Sequence, residues 1–432
     1  MSDELVPEAP SRSHGGAGSG HLARSPADRL ERAREHCFMA GVGDVGMQLC
    51  EANVPYGLAK IHAAQATLGI APDATFVDAP DATVTRNHAR WRQGFGYGGM
   101  YQWSGDLAVL DIKPNACGMI VGALPSLPAL AEVRERLHAL DREGLTLDGV
   151  TLDNDLTESN HFIDVLELGA RLDGALLPEA MERARYFYVM HSSGHEHRGI
   201  TARGPGLYWD ESEALLRMAR VIDTPWGTLR VLEGEAAHAW QAFYQDVQDF
   251  NHRRREALGR FLFGDHEVLI NATHQGLVRG VNRANIGCYT FDTPDDTPGS
   301  EPLFPLTLSP ALPVFMVRGR RNVREALWDR LGWSARIERH GLAARLGDTN
   351  LLPHGAGYTY PHLRGVSRVL EDGPDVRRFE LLPADPAAAP VAVETPRELP
   401  YAYRGLEVKE RMESLELGRA ALALDLCYVV KA

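Results

Sequence analysis

The chain has no CxxC pair among its five cysteines, at positions 37, 50, 117, 288 and 427. An odd, widely spaced set of thiols without paired motifs argues against a disulfide framework and for a reducing compartment. No apolar run approaches the roughly 20 residues of a membrane span. The N-terminal stretch MSDELVPEAPSRSHGGAGSGHLARSP has no hydrophobic signal core, so a cytoplasmic protein is the expectation. A net charge of −13 excludes nonspecific coating of nucleic acid, which needs clustered Lys and Arg, though it leaves room for a local basic cleft. Also missing are GxGxxG and Walker-type phosphate loops and a GxSxG elbow, which removes the commonest nucleotide and serine-hydrolase signatures. There is no internal repeat at solenoid periods.

What is there is the composition of a globular enzyme: 432 residues, 44% hydrophobic and 24% charged. Residues 1–27 are rich in Gly, Ser and Pro and are expected to form a disordered tail. Residues 28–432 are expected to form one large domain. Ser25 followed by Pro26 reads as an N-cap and first helical position. Amphipathic helices are expected over LPALAEVRERLHALDREG, over DESEALLRMARVID and, longest, over GEAAHAWQAFYQDVQDFNHRRREALGRFLFG. RQGFGYGGMYQW, residues 92–103, reads as a tight loop and an edge strand. Residues 292–313 and 383–400 read as Pro-rich connectors, the second leading to a C-terminal helix and the strand CYVVKA. Helices and strands do not alternate regularly, which gives an α+β class rather than a doubly wound sheet. The arginine clusters Arg253, Arg254, Arg255 and Arg318, Arg320, Arg321 read first as solvated faces.

Five segments carry the chemistry: LDIKPNACGM, ESNHFIDVLEL, YFYVMHSSGH, HEVLINATHQG and LLPHGAG. Each reads as a buried strand running into a polar turn, the apolar run ending in one soft or borderline donor: Cys117, His161, His191, His274 and His354. Singly, each has a bland reading, a small buried thiol or a satisfied core histidine. Together they suggest one preorganised metal site assembled from distant sequence. His195 and His197 fall in the loop after His191 and read as solvated or phosphate-facing. Small residues around His354 let the HGAG amides at Gly355, Ala356 and Gly357 approach a phosphate.

The order of these pieces resembles the RtcB-type RNA ligases, GTP-dependent enzymes that join RNA ends in tRNA splicing and RNA repair. The matching motifs are RQGFGYGG, NACGM, NHFID, HSSGHEHRG, ATHQG, HGAGY and VVKA, spread over roughly residues 88–432. The resemblance implies a β-sandwich-like core with flanking helices. It implies two manganese ions held by Cys117, His161, His191 and His274, with the cysteine bridging, although a Cys/His set suits zinc as well. It makes His354 the nucleophile that carries GMP, and it places Asn160, Asp164 and Lys431 beside the guanylate. The implied partners are GTP and RNA ends. Departures accompany the match. Pro114 occupies the place of the family's metal-binding Asp, leaving Asp111 as the candidate carboxylate if the backbone bulges, with Asn115 the alternative. Tyr358 replaces the Arg after HGAG, RANIGCYTF stands for the basic RKGAT strand, and MVRGRRN stands for the serine-bearing loop. The first ligands are retained while the nucleotide and RNA-phosphate contacts have changed. A phosphoesterase or nucleotidyl transferase, or a non-catalytic binding protein, is the alternative.

Overall fold

The computed structural model describes residues 20–156, 160–174, 176–278, 282–292 and 300–430, so most of the expected tail lies outside the described residues. The architecture is α+β. Its largest sheet has seven strands, in the order Glu267–Thr273, Gly118–Leu124, Tyr186–Ser192, Phe162–Arg171, Gly418–Val430, Val314–Gly319 and Leu303–Leu306. A second sheet of five strands runs Cys37–Phe38, Thr75–Thr83, Tyr97–Gln102, Arg283–Ile286 and Gln275–Leu277. One hydrophobic cluster joins them: Val77 and Met100 of the smaller sheet pack with Leu306, Phe315, Val317 and Ala423 of the larger. That shared core makes the arrangement sandwich-like.

Helices cover the outer surfaces. Helix Pro26–Glu35 starts where the sequence requires, with Ser25 Oγ accepting from the Asp28 amide at 3.1 Å and proline in the first turn. Helix Val45–Thr67 begins at Asp44, whose side chain accepts from the Met47 amide, and is buried along most of its length. It has no single apolar stripe because it lies between the five-stranded sheet and the strand Leu363–Gly373, and Asn53, Lys60, His62 and Gln65 are buried with its apolar residues. Helix Leu130–Glu143 buries Val133, Leu137 and Leu140, a stripe at three- and four-residue spacing. Helix Gly234–Phe263 has the full expected length. None of the helices among the described residues is long and apolar enough to cross a membrane.

Several expectations are corrected. Tyr97–Gln102 is an interior strand, not an edge, paired with both Thr75–Thr83 and Arg283–Ile286. Glycine serves close packing there: Gly98 has φ +83°, and a Cβ on it would lie 2.5 Å from Ala82 Cα. The helix expected through residue 223 ends at Met218, because the β-branched Val221 and Ile222 form a hairpin with Gly227–Glu233 across the Pro-Trp turn. Within the Pro-rich segments, Leu303–Leu306 and Val391–Val393 are strands; residues 293–299 are outside the described set. The last strand starts at Gly418, well before CYVVKA. Arg254, Arg255 and Arg318 are buried rather than solvated, whereas Arg253, Arg320 and Arg321 are exposed.

Four histidines from separate segments pack at the base of the N-terminal helix. His36 lies 4.8 Å from His62 and 4.6 Å from His340, and His21 lies 5.9 Å from His62, ring centre to ring centre. Burial, followed by the Arg32, Arg29 and Arg24 charges, lowers His21 to about 4. Burial lowers His62 to about 3 and pushes His36 further down. These rings are neutral in the fold and bind protons near 6.5 when unfolded, so stability is full above about pH 6.5 and declines as pH falls toward 4 and 3. His62→Gln keeps a donor for the Ala74 carbonyl, now 2.8 Å from Nε2, but removes one titration. The expected result is a stability-versus-pH slope between pH 6 and 4.5 smaller by about 1.4 kcal/mol per pH unit, read by urea unfolding. An unchanged slope would show that His62 already titrates normally in the fold.

Candidate metal and phosphate site

Strand register brings the donors together. Gly118 pairs with Thr273 on one side and Ser192 on the other, and His191 pairs with both Met119 and Phe162. Four neighbouring antiparallel strands therefore carry His274, Cys117, His191 and His161 at the same end of the sheet. Cys117 and His161 immediately precede their strands, His191 sits near the end of its strand, and His274 and His354 directly follow theirs. Cys117 and His161 thus enter strands rather than end them.

The donor atoms lie close together. Cys117 Sγ lies 3.0 Å from His191 Nε2 and 3.6 Å from His161 Nε2, and His191 Nε2 lies 3.2 Å from His274 Nε2. Tetrahedral coordination at zinc–nitrogen and zinc–sulfur bond lengths places donors about 3.3 to 3.6 Å apart. Cys117, His191 and His274 are all buried, and their ligating atoms lie within 4.8 Å of one another. His191 Nδ1 donates to the Asn160 carbonyl at 3.1 Å, which leaves the Nε2 lone pair facing the cluster. Burial first, then the neighbouring imidazoles, holds His191 and His274 well below the usual histidine range, so both are neutral donors. This group has the donor types and spacing to hold a metal ion.

His161 is built differently. Its Nδ1 donates to the Asp155 carbonyl at 2.9 Å and lies 3.1 Å from the Asp155 carboxylate. Burial opposes a charge on this ring, but the hydrogen bonds to Asp155 and Cys117 outweigh it and lift the pKa to about 10. Asp155 is fixed in turn by Ser192 Oγ at 2.9 Å, the Ser193 and Gly194 amides at 2.8 and 3.0 Å, and Arg254 at 2.8 Å. Burial pushes its carboxyl up, yet Arg254 and His161 hold it well below the usual carboxylate range. Arg254 also pairs with Glu196 at 2.7 Å.

His354 stands beside the cluster, its ring centre 4.4 Å from that of His274. Asp81 Oδ2 accepts three hydrogen bonds, from the His354 and Gly355 amides at 3.1 and 3.2 Å and from His354 Nδ1 at 2.8 Å. Nε2 lies 3.4 Å from Tyr97 OH, whose oxygen accepts from the Gln275 side-chain amide at 3.2 Å. One of the loop amides expected to meet a phosphate, that of Gly355, is thus occupied by Asp81. Gly357 is required by shape: it has φ +66°, and a Cβ would meet the Asp81 carbonyl at 2.4 Å.

A cleft of about 910 Å³ opens over this face, lined by His354, Gly355, Ala356, Gly357, Asn160, Asp164 and His191, with cationic Arg86, Lys113, Arg198 and Arg397 along it. Burial raises Asp164 to about 7. Tyr358, in the place of the expected arginine, forms an aromatic group with Tyr401 and Tyr403 at 4.7 and 5.5 Å, and the Arg86 guanidinium lies 4.5 Å over Tyr401. Lys431 lies outside the described residues; the strand before it ends at Val430, paired with Ile163.

Asp111 is not brought to the cluster. Its carboxylate accepts from the Arg230 amide at 2.7 Å and faces the Arg230 guanidinium at 3.4 Å. Asn115 Oδ1 accepts from the Cys117 amide at 3.1 Å. His197 is buried against Phe250, not solvated. No family model matches the chain, and no curated protein matches it.

Asp81, Asp155, Tyr97 and Arg254 were not among the residues expected to matter. Arg254 had a readable signal: with Val247, Phe250 and Leu258 it falls on the apolar stripe of its helix, where a charge needs a buried partner. Arg254→Met removes that partner and is expected to cost about 3–5 kcal/mol in urea unfolding, since it strands Asp155 and Glu196 in the interior. The loss should exceed that of Arg253→Met, an exposed pair with Asp148, several-fold. Equal losses would reduce Arg254 to a surface-type ion pair.

Proposed function

We propose that the protein is a metal- and GTP-dependent RNA ligase, joining an RNA 3′-phosphate or 2′,3′-cyclic phosphate end to a 5′-hydroxyl end through a histidine–GMP intermediate. The observation that carries this reading is the state of His354. Its imidazole, pinned at Nδ1 by Asp81 and with Nε2 3.4 Å from Tyr97 OH, lines a cleft beside a buried Cys/His group. That arrangement is suited to a nitrogen nucleophile.

In this reading His354 Nε2 attacks the α-phosphorus of GTP. The P–N bond forms as the P–O bond to the β-phosphate breaks, and pyrophosphate leaves. The ring gains positive charge while it keeps its Nδ1 proton, and the Asp81 carboxylate offsets that charge at hydrogen-bond distance. An RNA 3′-phosphate oxygen then takes the GMP, returning the electron pair to Nε2. The 5′-hydroxyl oxygen finally attacks the RNA phosphorus, releasing GMP and giving up its proton to solvent; a cyclic end is first opened by water. Asn160, Asp164 and Lys431 are the residues for the guanylate, and the cleft arginines Arg86, Arg198 and Arg397 are those for RNA phosphates. A cation held by Cys117, His191 and His274 supplies neutralisation of phosphate charge when bound.

The changed nucleotide-contacting residues, Tyr358 foremost, favour a second reading: transfer or hydrolysis of another phosphorylated substrate by the same histidine. Incubation with α-labelled GTP separates the two. The ligase reading expects a covalent, acid-labile GMP adduct on the wild type, none on His354→Ala, and sealing of a 3′-phosphate RNA to a 5′-hydroxyl RNA. Asp81→Asn should form adduct on the order of 100-fold more slowly while staying folded. Phosphate release from a generic phosphoester with no GMP adduct would replace the ligase by the second reading.

A further inference from the structure

The family resemblance implies two ions bridged by the cysteine, but the donors around Cys117 are unevenly distributed. Two imidazoles, His191 and His274, lie close enough to the thiol to share an ion with it. His161, with Nε2 3.6 Å from the sulfur, falls outside that group. Among the described residues, no further His, Cys, Asp or Glu joins the Cys117–His191–His274 group.

Each side chain that might complete a second site is occupied elsewhere. Asp111 faces Arg230. Asn115 caps the Cys117 amide, and Pro114 has no donor side chain. Asp155 meets His161 at Nδ1, the ring nitrogen away from the thiol, and its two oxygens are already bonded to Ser192, Ser193, Gly194 and Arg254. A second ion would have one imidazole and an edge of the thiolate, fewer than the three protein ligands that a catalytic site ordinarily supplies.

We propose that this chain holds a single cation of the zinc class, bound by Cys117, His191 and His274 with its fourth position open, and that His161 is a positioning residue rather than a ligand. One thiolate with two imidazoles is a borderline-to-soft set, which favours zinc over the oxygen-seeking manganese. Three protein ligands and an open position are the arrangement of a catalytic rather than a structural ion. His161 then acts through Cys117, fixing the sulfur from 3.6 Å while Asp155 and Arg254 fix the ring.

This inference rests on the metal part of the reading above, and it is tested without nucleotide, so that its failure and that of the ligase reading are separable. The full chain is stripped with chelator and titrated with Co²⁺ alone. The expected result is a thiolate-to-cobalt charge-transfer absorption that saturates at one equivalent and is displaced by one equivalent of Zn²⁺. Folding of each variant is checked by circular dichroism. Cys117→Ser should abolish the band and His191→Ala should weaken binding at least 100-fold, while His161→Gln should still bind one equivalent within about tenfold of wild-type affinity. Saturation at two equivalents, with His161→Gln falling to one, would overturn the proposal. So would loss of the single ion in a folded His161→Gln, or no cobalt binding by the wild type. The wild-type stoichiometry decides the point even if every variant fails to fold.

Discussion

In the strands Glu267–Thr273, Gly118–Leu124, Tyr186–Ser192 and Phe162–Arg171, the antiparallel pairing places Thr273, Gly118 and Ser192 on one rung and Met119, His191 and Phe162 on the next. Side chains alternate between faces along a strand, so a slip of one residue would turn His191 to the opposite face, away from Cys117. The same alternation buries Ile120, Ile163, Tyr188 and Met190 in one hydrophobic cluster and Met119, Val121, Leu166 and Val189 in another. Register is therefore set by two buried faces at once. That pairing brings the donor atoms within 3.0 to 3.6 Å.

Around that rung, each polar group is oriented by another. Arg254 fixes Asp155, Asp155 fixes His161, the Asn160 carbonyl fixes His191, and Asp81 fixes His354. A buried carboxylate costs several kcal/mol unless it is paired, so each such link is held closely in place once the fold exists. The chain of contacts orients the imidazoles of the site. His191 and His354 both donate from Nδ1 to oxygen. His274 is the exception, with a buried Nδ1 that has no protein hydrogen-bond partner.

How far the sequence foretold this differs by residue. Cys117, His161, His191, His274 and His354 were legible because each borders an apolar run, and a lone donor at a strand end is conspicuous. Their shared rung was not, since strand order in a sheet of distant segments depends on packing rather than on any local pattern. Asp81 and Asp155 were hidden for a similar reason: an Asp in DAPDAT or in LDNDL looks like a turn residue until its partner, hundreds or dozens of positions away, is known. The helix Val45–Thr67 escaped because it lacks an amphipathic stripe, being covered on both sides. Asp111 looked suitable by proximity to Cys117, but the 3₁₀ turn Leu110–Ile112 and the left-handed Lys113 carry its carboxylate to Arg230.

The left-handed residues explain how so compact a loop can serve the site. Lys113 and Ala116 both have positive φ, 50° and 56°, a conformation that costs a non-glycine residue about 1 kcal/mol or more. Glycine would relieve that strain at either position, yet the side chains are used. Lys113 reaches Asp210 and the Tyr208 ring, and Ala116 is fully buried, its amide donating to Tyr244 OH at 3.1 Å. The strain is offset by contacts that hold the turn between them and deliver Cys117 to the head of its strand. A loop tied down on both flanks cannot readily bulge to bring a carboxylate inward, so the thiol meets the imidazoles of His161 and His191 while Asp111 stays with Arg230.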